Sequence, residues 1–91
     1  MASASDFEQA VGSVFTVAIG DRPVSLELTA VRQIAASPRP GGGFTLTFKG
    51  PRDIMLPQAI YRLTGDAIAD DIFIVPISGD ATGYVYEAVF N

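Results

Sequence analysis

Cysteine and histidine are both absent from this chain of 91 residues. Without thiols there are no disulfides, cysteine zinc sites, iron–sulfur clusters or thiol nucleophiles, which suits a reducing compartment. Without imidazole the commonest general base and metal ligand are missing, along with the only side chain that titrates unperturbed near neutrality. Basic residues are scarce as well: six Lys and Arg against ten Asp and Glu leave a net charge of −4. A field of that sign does not attract phosphate backbones or anionic lipid, so no nucleic-acid partner is expected. Long apolar runs are lacking too. The longest, Ile72-Phe73-Ile74-Val75-Pro76-Ile77, falls far short of the roughly 20 residues of a membrane helix. The start, Met1-Ala2-Ser3-Ala4-Ser5-Asp6, has neither the basic segment nor the apolar core of a signal peptide. The expectation is a cytoplasmic protein with no membrane association.

What the chain does contain is alternation. In Phe44-Thr45-Leu46-Thr47-Phe48-Lys49-Gly50-Pro51 the apolar side chains fall on one face and the threonines and Lys49 on the other. This is the two-residue period of a half-buried strand. The same reading holds for Val24, Leu26 and Leu28 against Ser25, Glu27 and Thr29. A chain of this size buries roughly 60–65% of its unfolded surface, so a single domain over residues 1–91 is feasible without staples.

Taken in order, residues 1–4 are expected to be disordered. Ser5-Asp6-Phe7-Glu8 has the spacing of a capping box, which predicts a short helix to about Ala10 with Phe7 and Val11 on one stripe. Strands are expected over 14–19, 24–31, 44–51, 58–63, 72–77 and 84–91. The turn between the first two is placed at Gly20-Asp21-Arg22-Pro23, and a bulge is expected where the second strand continues past Arg32. Residues 37–43 hold two prolines and three glycines and read as a long hairpin loop. They lack the Lys-Ser/Thr and the following helix of a phosphate cradle. Leu56 is expected to plug the core. The continuous apolar run 72–77 implies cover on both faces, and Pro76 belongs at a strand end, an edge or a bulge. The fold class is therefore all-β: a small antiparallel six-stranded barrel, or a two-sheet sandwich, with a short N-terminal helix. Closure is favoured because it removes edges.

The strand 44–51, the run Leu56-Pro57-Gln58 followed by Tyr61, the strand Phe73-Ile74-Val75-Pro76-Ile77 and the terminal Tyr86-Glu87-Ala88-Val89-Phe90-Asn91 together resemble a family of small bacterial proteins of unknown function. Its members share F-x-L-x-F-x-G-P, L-P-Q-x-x-Y, F-x-V-P and a closing Y-E-A-V-F-N. The likeness runs from about Phe7 onward and departs at 64–71, where a Leu-Gly pair is more usual. It implies no activity, cofactor or catalytic residue, and it implies company with phage-tail-like or tail-collar-like proteins.

Three groups of residues are candidates for function. Asp66, Asp70, Asp71 and Asp80 form an acidic cluster whose spacing matches no EF-hand, and a solvated face is the better reading. Tyr61, Tyr84 and Tyr86 are more readily packed rings than the lining of a ligand cavity. Charge is also segregated along the chain. Residues 1–38 carry four acids and two bases (−2), and residues 39–62 carry Arg39, Lys49, Arg52 and Arg62 against Asp53 (+3). Residues 63–91 carry five acids and no base (−5). Either these charges pair weakly within the molecule, or Arg39, Lys49, Arg52 and Arg62 form an interaction face.

These observations predict a non-catalytic structural or protein-interaction module, accessory to a phage-tail-like or surface assembly. The alternative is a small-ligand-binding β-barrel, with an enzyme third. No catalytic, cofactor-binding or metal-binding residue is expected, and no small-molecule ligand. The partner is a protein or a second copy, held by an apolar contact in preference to opposite charges.

Overall fold

The computed structural model describes residues 3–34 and 42–90. A short helix, α1 (Ala4–Gln9), precedes six strands: β1 (Val14–Ile19), β2 (Arg22–Ile34), β3 (Gly43–Gly50), β4 (Ala59–Thr64), β5 (Ala69–Asp80) and β6 (Gly83–Phe90). All neighbours are antiparallel, in the order β1-β2-β3-β6-β5-β4. β4 returns to β1 through the pairing of Thr16 with Thr64, so the six-stranded sheet closes into a ring.

Alternation decides which side chains enter that ring. Phe44, Leu46 and Phe48 of β3 and Val24, Leu26 and Leu28 of β2 are buried, joined by Phe15, Val17, Leu63, Ile72, Ile74, Tyr86 and Ala88. β2 changes register between Leu28 and Ala30. The extra residue leaves Thr29 and Ala30 both exposed and brings Val31 against the core. The bulge thus falls earlier than the position past Arg32 at which it was expected, and it bends a long strand around the ring. A second register shift, between Pro76 and Ser78 in β5, accommodates the proline that has no N–H to give.

Both ends of the ring are plugged. At one end Phe7 of α1 is fully buried, with its ring centroid 6.0–6.4 Å from those of Phe15, Phe44 and Phe90. Phe44 and Phe90 stack at 4.6 Å. The chain after the helix is fastened to β2: the Gly12 amide donates to the Leu28 carbonyl (2.8 Å), and the Leu28 amide donates to Ser13 (3.0 Å). At the other end Leu56 is buried and its amide donates to the Tyr86 hydroxyl. Among the described residues no buried side-chain polar atom lacks a partner, and no helix is long and apolar enough to cross a membrane.

Several local expectations are corrected. The helix is capped two residues earlier, by Ser3 and Asp6: the Asp6 amide donates to Ser3 Oγ (3.2 Å), and the Ser3 amide donates to Asp6 Oδ2 (2.9 Å). Ser3 and Ala4, expected to be disordered, are the cap and the first helical residue. Val11 lies past the helix, exposed, and does not extend the Phe7 stripe. The first hairpin turns on Gly20 and Asp21 alone, with Gly20 at φ 59°, so Arg22 and Pro23 already belong to β2. β5 extends beyond 72–77 at both ends and is covered on one face only, since Phe73 and Ile77 are exposed. Residues 35–41, including most of the expected loop, lie outside the described residues.

Candidate interaction surface

The ring does not assemble the basic segment into one face. Lys49 is on β3 and Arg62 on β4, strands that lie on opposite sides of the ring. Arg52 is exposed in the connection after β3, and Arg39 lies outside the described residues. Two of these cations are met by acids of β5: Lys49 of β3 by Asp80, across β6, and Arg62 of β4 by Asp71 of the adjacent strand. Lys49 Nζ is 3.5 Å from Asp80 Oδ1, and Arg62 NH1 is 3.5 Å from Asp71 Oδ1. Arg62 and Asp71 are also direct register partners. Arg22 pairs with Asp53 and ties the first hairpin to the plugging segment.

The same pairings draw Asp71 and Asp80 out of the acidic cluster. Hydrogen bonds from the Thr82 hydroxyl (2.6 Å) and amide (2.7 Å) hold the Asp80 carboxyl below its ordinary range, with a smaller contribution from Lys49. The Arg22 hydrogen bond does the same for Asp53. Among the described residues, no group of three acids converges in a way that could hold a metal.

Asp66 and Asp70 line a cleft of about 530 Å³ between α1 and the β4–β5 turn, with Asp6, Ser13, Phe15 and Ile68. None of the tyrosines lines it. Tyr86 is buried inside the ring, and burial pushes its phenol above the ordinary value. Tyr61 donates from its hydroxyl to the Pro57 carbonyl (2.7 Å), and Tyr84 packs against the core from its margin. The tyrosines thus serve packing and fastening.

A different surface is brought together by the fold. Ile60 of β4 and Phe73 of β5 are register partners on the outward face, 69% and 50% exposed. Ile77, at the β5 bulge, and Val89 of β6 are 51% exposed. The inward neighbours Ile72 and Ile74 are sealed in the core, so β5 is apolar on both faces while only one is covered. The signal was present in the unbroken run 72–77. Such a run implies cover on both sides, and in the single chain the outer side has none over Phe73 and Ile77.

A family model, described as a domain of unknown function (DUF6916), matches residues 2–90. The chain belongs to that family. No curated protein and no solved structure matches the chain.

Proposed function

We propose that this domain is a non-catalytic protein-interaction module that docks through the outer face of β4 and β5. The ring itself we read as a small barrel: one strand order runs through all six strands, and one core lies inside. The observation that carries the functional reading is the pairing of Ile60 with Phe73 on the outside, extended by Ile77 and Val89. Large apolar side chains grouped on the surface of a small domain are costly to leave in water and mark contact sites. The accessory place in a phage-tail-like or surface assembly, implied by the sequence resemblance, is a role of this kind, in which a rigid scaffold offers a face to a larger complex.

Photoreactive cross-linking in the native cell tests this. A photoreactive residue at position 60 is expected to give a protein adduct, whereas one at Ser25, on the outward face of β2, gives none. Equal labelling from both positions, or none from position 60, overturns the reading.

A further inference from the structure

We infer that the occupant of the β4–β5 face is a second copy of this chain, related by a two-fold axis that runs along the strands midway between β4 and β5. This rests on the reading of that face as an interface and names its partner.

The inference comes from the register. Ile60 pairs with Phe73, Arg62 with Asp71 and Thr64 with Ala69. Rotation about an axis parallel to the strands lays β4 of one protomer over β5 of its partner without changing height along the strand. Every outward residue then faces its own register mate from the other copy. Ile60 meets Phe73 of the partner subunit, and Arg62 meets Asp71 of the partner subunit. The reverse contacts follow from the symmetry. Apolar faces apolar and cation faces anion, so the surface is its own complement. Each exposed Arg62–Asp71 pair, 3.5 Å apart within its own chain, becomes half of a square of four alternating charges. Sheets packed face to face lie about 10 Å apart, a gap that Arg and Asp reaching from opposite sides can bridge while Ile and Phe fill the centre. The roughly 30° crossing that twist imposes on stacked sheets displaces contacts least near the point where the strands cross.

The other way for the face to meet itself is about an axis across the strands. That arrangement reverses height and lays each strand over its own copy, so Arg62 never faces Asp71 of the partner subunit; where the two rows overlap, Arg62 lies over Ile60 and Asp71 over Phe73. Each charge would then lose water to an apolar side chain, at a cost the first arrangement avoids.

Reciprocal charge reversal tests the arrangement. Mass measured by light scattering over a range of concentrations is expected to show a dimer for the parent chain. Arg62→Asp makes the face all-acidic and Asp71→Arg makes it all-basic, so each variant alone is expected to dissociate at concentrations on the order of tenfold higher than the parent. Mixed in equal amounts, the acidic face of one meets the basic face of the other, and the dimer returns. Recovery on mixing also shows that both variants are folded. Dimerisation of the single variants at parental strength, or no recovery on mixing, overturns the arrangement. A monomeric parent at every concentration overturns the second copy as occupant; the docking reading is then judged by the mass of the adduct from position 60. An adduct of another size retains that reading, and no adduct removes it.

Discussion

The hydroxyl of Tyr86, within β6, accepts a hydrogen bond of 2.9 Å from the amide of Leu56. Both residues are buried, and the bond joins the segment that plugs one end of the ring to a strand paired on both sides. Removing the hydroxyl in Tyr86→Phe leaves a buried amide without a partner, an expected cost of about 1–3 kcal/mol. Chemical denaturation checks this, and an unchanged midpoint would mean that the bond is not closed in solution.

The same phenol makes stability depend on pH on the alkaline side. Its folded value lies above the ordinary 10.0, chiefly through burial, against the opposing effect of the Leu56 hydrogen bond. Above about pH 10 the unfolded chain therefore holds fewer protons at this site than the folded one, and stability falls as pH rises. The Tyr86 contribution is fully present below about pH 10 and is lost as pH climbs through the folded value. Thermal midpoints between pH 8 and 11 are expected to fall more steeply for the parent chain than for Tyr86→Phe. Parallel curves would contradict this.

Phe48 is fully buried and meets Phe15 edge to face at 5.8 Å. Phe48→Ala is expected to cost about 3–5 kcal/mol through lost burial and the cavity left behind. Phe73→Ala, on the outer face, is expected to cost under about 0.5 kcal/mol in the isolated chain. Urea titration of the two variants side by side, at concentrations where the chain is a monomer, checks the inward and outward assignment.

Two glycines with positive φ are expected to differ. A Cβ on Gly83, at φ 140°, would lie 2.0 Å from the Gly50 carbonyl oxygen, a backbone atom of the paired strand. Gly20, at φ 59°, has nothing within 4 Å of such a carbon. Gly20→Ala therefore carries only the left-handed conformational cost, about 1–2 kcal/mol. Gly83→Ala must also push β3 and β6 apart, about 3 kcal/mol or more in all. Denaturation midpoints separate the two, and equal costs would mean that strand separation is not involved.

Asp80 offers a test by carbon-detected titration. Thr82→Ala is expected to raise its pKa more than Lys49→Ala, because the Thr82 hydroxyl, which alanine lacks, lowers it most and the cation contributes less. A lowered carboxyl stabilises the fold above its ordinary value of 3.8 and loses that contribution as pH falls through the folded value. The opposite ranking would make the ion pair dominant.

Much of the fold was legible in local pattern because a pleated strand sorts alternate side chains with no reference to its neighbours. Phe44, Leu46, Phe48, Val24, Leu26 and Leu28 are buried as their spacing requires, and Pro76 sits at a bulge because it has no N–H. Where two local signals compete, sequence alone was not enough. Ser3-x-x-Asp6 and Ser5-x-x-Glu8 are equally plausible caps, and the choice of Ser3 came with a helix that sends Phe7 into the end of the ring.

Strand order lay beyond local pattern altogether. The chain visits β3, β4, β5 and β6 in sequence, but β6 lies beside β3, which puts Lys49 and Arg62 on opposite sides of the ring. A basic stretch contiguous along the chain was thereby separated in space. Ile60 and Phe73, thirteen positions apart along the chain, were instead brought into register on an uncovered face. Alternation determines which way each side chain points. Only the pairing of distant strands decides which outward-pointing side chains become neighbours.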